Sequence, residues 1–223
     1  PPGAADRPMT IDDIVLRTAT TLGVAALAGA VTVYFGASWL ALPAAIVGLV
    51  LALVIIFARK ANAPLVLLYA LAEGVFLGAI TGVFENLYPG IAFQAILGTV
   101  GVFAAMLVVY KTGAIRVTPR LTKWIIGATA GVLVVIVVNL ILSLFGVDTG
   151  LYNGGPIAIL FSLLVIGIAA FNLLLDFDQA DRLIRAGAPA KMAWYVAFGL
   201  TVTLVWLYLE ILRLLSYIYG GRG

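Results

Sequence analysis

Long apolar runs separated by short polar breaks dominate the chain and predict membrane-spanning helices. A run of about 18 or more apolar residues with few charges is long enough to cross a bilayer. The runs lack the apolar–polar alternation of a membrane β-barrel, so a helix, whose backbone hydrogen bonds are internal, is the spanning form they favour. The predicted spans are Leu16–Phe35, Ser38–Ala58, Pro64–Phe84, Ile91–Tyr110, Trp124–Leu144, Pro156–Leu175 and Ala197–Tyr217.

The pattern predicts one transmembrane domain with a short segment at each end. Residues 1–9 are rich in proline and predict a disordered leader, residues 10–219 hold the seven helices, and residues 220–223 form a tail. Thr10, followed by Asp13, is typical of a helix N-cap, so the first helix is expected to begin there. The expected fold is an all-α integral membrane bundle.

Composition supports this class and excludes several kinds of chemistry. Hydrophobic residues make up 64% of the chain and charged residues 10%, whereas a soluble protein has about 25% charged residues. The chain has no Cys and no His, which removes disulfides, thiol chemistry, histidine metal sites and any catalytic triad built on His. We therefore expect no enzyme, although a pair of acids alone can serve hydrolysis.

The distribution of basic residues predicts the orientation. Lys and Arg precede the first span and follow the second, fourth and sixth, whereas the loops after the first, third and fifth spans have none. The positive-inside rule then places the N-terminus in the cytoplasm and the C-terminus outside. A re-entrant last span would instead return the C-terminus to the cytoplasm. The net charge of +3 is loop charge that meets anionic lipid headgroups, and it does not indicate nucleic-acid binding.

Acidic residues at membrane depth are the strongest functional candidates. An Asp or Glu at the bilayer centre costs roughly 2.5–3.5 kcal/mol on insertion scales and is by default a functional-site hypothesis. Glu73 lies near the middle of the third span, Asp176 and Asp178 lie at the end of the sixth, and Glu210 lies in LYLEILRLL of the last span. Asp176 and Asp178 are two positions apart, so only one of them can face the core of a helical bundle.

Each candidate also has a plain structural interpretation. Glu73 could be a protonated side chain hydrogen-bonded to a neighbouring helix, and Asp178 could form an i,i+4 ion pair with Arg182 at the helix end. Glu210 has Arg213 one turn later, so the two could form an ion pair within one helix. Arg213 could equally hold another acid, and the residues alone leave these alternatives open.

The order of three motifs resembles the bacterial branch of the transmembrane Bax inhibitor motif family. The motifs are Glu73-Gly74 followed by Gly78 in the third span, LLDFDQ at the end of the sixth and LYLEILRLL in the last. The resemblance implies a seven-helix fold with a central last helix. It also implies a pH-controlled calcium leak in the bacterial inner membrane, with no cofactor other than transported calcium.

The resemblance also implies the roles of individual residues. The pH sensor is a pair of acids that share a hydrogen bond between the sixth and seventh helices. Glu210, where many relatives have Asp, is its seventh-helix member, and Asp176 or Asp178 is its sixth-helix member. These three acids are also the expected calcium contacts, while Glu73 is expected to line the pore or to act as a latch with Arg213. Two other functions stay open: a non-conducting protein that binds a membrane protease or other membrane complex, and a proton-coupled cation transporter.

Overall fold

Seven long helices make up almost all of the computed structural model, which describes Gly3 and residues 6–221. Within that part no β-strand is present, and all seven helical spans are long and apolar enough to cross a membrane. The predicted all-α membrane fold is confirmed. The helices are α1 (Ile11–Tyr34), α2 (Ala41–Phe57), α3 (Ala63–Leu87), α4 (Ile91–Thr112), α5 (Pro119–Leu144), α6 (Pro156–Arg185) and α7 (Ala193–Gly220), with short 3-10 turns at Ser38–Leu40 and Ala190–Met192.

The backbone divides into two compact units. The first runs up to Leu87 and resumes over Asp176–Val205, and the second consists of Tyr88–Leu175 and the residues from Trp206 on. α6 and α7 therefore each contribute to both units. α7 is the most buried span, since 61% of its apolar stretch is buried, against 39% for α3, the next highest. This is the burial expected of a last helix that other helices cover.

Polar caps and ion pairs set the helix ends that hydropathy alone misplaces. Thr10 caps α1 as predicted: its side chain accepts a hydrogen bond from the Asp13 backbone, and Asp13 Oδ2 accepts one from Thr10 N at 2.9 Å. The same carboxylate accepts hydrogen bonds from Arg7, which raise the pKa of the Arg7 guanidinium. α5 begins before the predicted Trp124 because Thr118 caps it, accepting from Leu121 N at 3.1 Å.

α6 continues well past the apolar segment that predicted it. The predicted membrane span ends at Leu175, whereas the helix runs to Arg185. Two i,i+4 ion pairs support the added turns: Asp178 with Arg182 at 2.7 Å and Asp181 with Arg185 at 2.8 Å. Pairs at this spacing stabilise an exposed helix by about 0.2–0.5 kcal/mol each, which is enough to favour helix over loop beyond the apolar run.

The segment before α1 runs along the connection between α6 and α7. Met9 N donates to Ala188 O at 2.8 Å, and Ala190 N donates to Arg7 O at 2.8 Å. Met9 is only 2% exposed. These contacts involve residues 7 and 9 of the predicted leader. Positions 1, 2, 4 and 5 of the leader and positions 222 and 223 of the tail lie outside the described residues.

Close approach of α1 and α3 organises the first unit. A Cβ added at Gly74 would lie 2.8 Å from the Cα of Ala25, and one added at Gly78 would lie 2.8 Å from the Cα of Gly29. Real side chains do not come so close to a backbone, so only glycine permits this crossing. Small residues at four-residue spacing have this effect between membrane helices. The contact between α1 and α3 thus accounts for the glycines at positions 74 and 78.

Polar contacts link the elements of the second unit. Asn172 Nδ2 on α6 donates to Thr129 Oγ1 on α5 at 2.9 Å. Tyr88, which precedes α4, stacks its ring on that of Tyr219 in α7 with centroids 5.9 Å apart. A hydrogen bond between membrane helices, such as that of Asn172, is worth about 0.6 kcal/mol on average. Its contribution to the stability of the fold is therefore small, and its main effect is to set the relative position of the two helices.

Candidate functional site

Glu210 is a buried acid with a cationic partner in its own helix. It is only 4% exposed, and its Oε1 forms an ion pair with Arg213 one turn further along α7. Its other carboxylate oxygen, Oε2, is buried and has no hydrogen-bond partner among the residues that the structure describes. The backbone carbonyl of Glu210 accepts a hydrogen bond from Ser162 on α6 at 3.4 Å. The carboxylate is therefore paired through one of its two oxygens only.

Arg213 has a second partner, in the connection between α5 and α6. Its guanidinium lies over the ring of Tyr152, 4.4 Å from the ring centroid. The Tyr152 ring in turn packs edge-on against Phe161 of α6, with centroids 5.9 Å apart. A cation over an aromatic face gains about 0.5–2 kcal/mol. Tyr152 therefore helps to fix the position of Arg213, which forms the ion pair with Glu210. Nothing in the spacing of the sequence indicated this contact, because it joins a loop to a distant helix.

Asp176 and Asp178 point to different partners, as their two-residue spacing predicted. Thr203 Oγ1 on α7 lies 2.6 Å from Asp176 Oδ2, whereas Asp178 Oδ2 pairs with Arg182 of the same helix at 2.7 Å. Of these two acids, Asp176 is the one whose described hydrogen bond reaches α7. The Arg182 side chain is 65% exposed, which identifies the Asp178 pair as a solvated helix-end pair.

Thr203 can satisfy Asp176 in either protonation state. Its hydroxyl oxygen lies 2.6 Å from Asp176 Oδ2 and 3.1 Å from the carbonyl oxygen of Gly199. An ionised Asp176 accepts the hydroxyl proton. A protonated Asp176 can instead donate to Thr203 Oγ1, whose own proton then goes to Gly199 O, because a hydroxyl is both a donor and an acceptor. The contact thus tolerates the gain and loss of a proton without a buried unsatisfied group. Sequence reasoning did not single out Thr203.

Glu73 lies in a side groove of the first unit, between α2, α3 and α7. The groove has a volume of about 280 Å³, and its walls are apolar apart from Glu73 and the Tyr69 hydroxyl. Glu73 has neither a hydrogen-bond nor an ion-pair partner among the described residues. A Cβ added at Gly48 of α2 would lie 2.6 Å from Glu73 Oε1, so the absence of a side chain at Gly48 makes room for the carboxylate.

No preformed metal centre accompanies these acids. Over the part of the chain that the structure describes, no group of three or more acidic side chains lies close enough together to hold a metal ion. The hydrogen bonds described for Asp176 and Glu210 are made with Thr203 and Arg213. Calcium binding by Asp176, Asp178 and Glu210, and a hydrogen bond shared between two of them, therefore stay predictions.

Comparison with protein families identifies the family to which the chain belongs. A protein-family model described as Bax inhibitor 1 like matches residues 2–220, nearly the whole chain. A comparison with curated proteins finds no match. The match includes every acid discussed above.

Proposed function

Because the chain belongs to the Bax inhibitor 1 like family, we propose that it is a pH-sensitive calcium leak channel of the bacterial inner membrane. The observation that carries this proposal is Glu210, an acid buried in the most buried helix with one carboxylate oxygen left without a partner. A buried carboxylate oxygen without a hydrogen bond is costly. A proton or a cation relieves that cost, and this is the property that a proton-controlled cation path requires.

The second member of the proposed pH sensor is Asp176, not Asp178. Asp176 contacts α7 through Thr203, while Asp178 is already neutralised by Arg182.

The proposed gating step is the loss of a proton from this pair of acids. Two carboxyl groups that share a proton become like charges when the proton leaves, and like charges in a low dielectric repel strongly. We expect the repulsion to loosen α6 from α7 and to expose carboxylate oxygens, which are the ligands that calcium prefers. Calcium entry should therefore increase as the pH rises.

Calcium flux into liposomes tests this function. The purified protein is reconstituted with a calcium-sensitive dye inside, and entry is followed from mildly acidic to mildly alkaline pH. Glu210→Gln and Asp176→Asn should each abolish the pH dependence, and Asp178→Asn is the matched control that should preserve it. The double variant measures whether the two acids are coupled: for coupled acids the change in calcium flux at a fixed pH differs from the sum of the two single changes.

The same experiment separates the other two functions. Absence of calcium entry at every pH, with correctly folded protein in the membrane, would favour a non-conducting interaction protein. Entry that requires an opposing proton gradient would favour a proton-coupled transporter. Calcium flux that persists with unchanged pH dependence in Glu210→Gln would show that Glu210 is not part of the pH sensor.

The orientation belongs to the same proposal. Basic residues that flank alternate spans put the N-terminus in the cytoplasm, and seven spans then put the C-terminus outside. The chain has no cysteine, so single cysteines introduced into the loops can be labelled from one side of the membrane to check this. Labelling of the loop between α4 and α5 from outside would show that the orientation is the opposite of the one proposed.

A further inference from the structure

The groove that holds Glu73 combines a carboxylate with aromatic walls. Tyr69 and Phe76 from α3 and Phe198 from α7 line it together with Glu73. The rings of Tyr69 and Phe198 pack edge to face, with centroids 4.9 Å apart. These rings give the groove largely apolar walls around one carboxylate, and a carboxylate in such surroundings favours a positively charged group.

The protein supplies no cation of its own here. All of the groove's lining residues except Glu73 are uncharged, namely Ala45, Gly48, Leu49, Ala52, Ile56, Tyr69, Phe76, Phe198 and Val202. An ionised carboxylate in apolar surroundings is costly unless it is paired. A ligand that brings one positive charge would therefore find a site whose polar group lacks a counter-charge.

The walls and the depth of the groove restrict what that ligand can be. A divalent metal ion requires about six or more oxygen ligands, and the groove offers one carboxylate. Glu73 is near the middle of the 25-residue helix α3. It is therefore near the bilayer centre, too deep for the amine of a phospholipid headgroup at the surface of a hydrocarbon core about 30 Å thick. The ligand must bury an apolar body along with its charge.

The groove opens sideways, past apolar side chains that are exposed on the helix surfaces. Leu49 is 60% exposed, Ile56 50% and Val202 38%. In a membrane-spanning bundle such an opening admits a ligand that has dissolved in the bilayer. The volume of about 280 Å³ equals that of about nine water molecules at about 30 Å³ each, which suits a short single-chain amine.

We propose that this groove is a binding site for a lipophilic ammonium ion, whose charged nitrogen pairs with Glu73 among the aromatic rings while its alkyl chain lies along α2. Gly48 sets the size of the site, because any side chain there would compete with the carboxylate for the same space. The proposal does not depend on calcium conduction by Asp176 and Glu210.

Carboxyl NMR of the full chain in lipid nanodiscs tests the site directly. The chain has three glutamates, Glu73, Glu85 and Glu210, so selective ¹³C labelling of the Glu carboxyl carbon gives three signals, and Glu73→Gln identifies one of them. Octylammonium should shift the Glu73 signal in a saturable way and leave the other two unchanged. Octanol, which has the same chain without the charge, should shift none of them.

Two variants make the outcome decisive. Gly48→Ala should weaken octylammonium binding several-fold, while an unchanged Glu210 signal shows that the fold is intact. Gly101→Ala is the control, because a Cβ added there meets no atom within 4 Å, and its affinity should equal that of the unaltered protein. A Glu73 signal that octylammonium does not move, or that octanol moves equally, would overturn the proposal. Equal, non-saturating shifts of all three signals would also overturn it, since they would indicate general partition into the bilayer.

Discussion

Glu73 and Glu210 are the same residue type at membrane depth, but among the described residues Glu210 has a cationic partner and Glu73 has none. Glu210 is paired with Arg213 of its own helix, and Tyr152 covers that arginine. Glu73 has no such partner among the described residues and is accommodated by the missing side chain of Gly48. Depth in the membrane therefore does not determine the role of an acid. The surrounding groups determine whether it is fixed as part of an ion pair or left available to a ligand.

Removal of Arg213 should have the largest effect on stability. Arg213→Ala would leave the Glu210 carboxylate buried without its cation, and loss of one partner of a buried pair costs about 3–5 kcal/mol. Because a quarter of the Arg213 side chain is exposed, we expect the lower end, about 3 kcal/mol, measured by denaturant unfolding in detergent micelles.

A second arginine provides the control for this change. Arg182→Ala breaks the pair with Asp178, but the Arg182 side chain is 65% exposed, and such surface pairs contribute at most about 1 kcal/mol. Equal losses of unfolding free energy in Arg213→Ala and Arg182→Ala would show that burial of Glu210 does not increase the contribution of its ion pair to stability.

An added methyl group at Gly48 should have a smaller effect than the removal of Arg213. The new Cβ would lie 2.6 Å from Glu73 Oε1, so the carboxylate or the helix must move. Overpacking of this kind costs about 1–3 kcal/mol, and the better helix propensity of alanine offsets up to about 1 kcal/mol of it. Because Glu73 Oε1 is the end of a flexible side chain that can move at small cost, unfolding of Gly48→Ala should show a net loss at the low end of this range, of about 1 kcal/mol or less.

The cause of that loss can be checked in a second background. In Glu73→Ala the carboxylate is absent, so a further Gly48→Ala change should cost nothing or should stabilise the protein. The matched change Gly101→Ala, in open space, should be neutral or stabilising. If Gly48→Ala is equally destabilising in the presence and absence of Glu73, the glycine does not serve the carboxylate.

The sequence predicted the contacts that lie within one helix. Apolar run length gave the seven spans, and the three- and four-residue spacings gave the Glu210–Arg213 and Asp178–Arg182 pairs, because neighbours on a helix surface follow from its period alone.

Contacts between elements were not predictable in the same way. Tyr152 over Arg213 depends on the path of a loop, and Gly48 beside Glu73 depends on the relative register of two helices. Neither is fixed by hydrophobic periodicity, which specifies the face of a helix but not its axial position. For the same reason the sequence left Asp176 and Asp178 equivalent until the Thr203 contact distinguished them.

Neutralisation of Glu73 should give the smallest effect, and neutralisation of Glu210 provides the most direct comparison with it. Glu73→Gln keeps the size of the side chain and removes a charge that has no partner among the described residues, so the free energy of unfolding should change by less than about 1 kcal/mol and could rise, because a buried unpaired charge is costly. Glu210→Gln removes the charge that pairs with Arg213 and should cost about 1.5–3 kcal/mol, the range for hydrogen bonds to charged groups. Both are measured by the same denaturant unfolding in micelles without added amines. If Glu73→Gln were as destabilising as Glu210→Gln, Glu73 would have a partner in the folded protein, and the difference between the two acids would disappear.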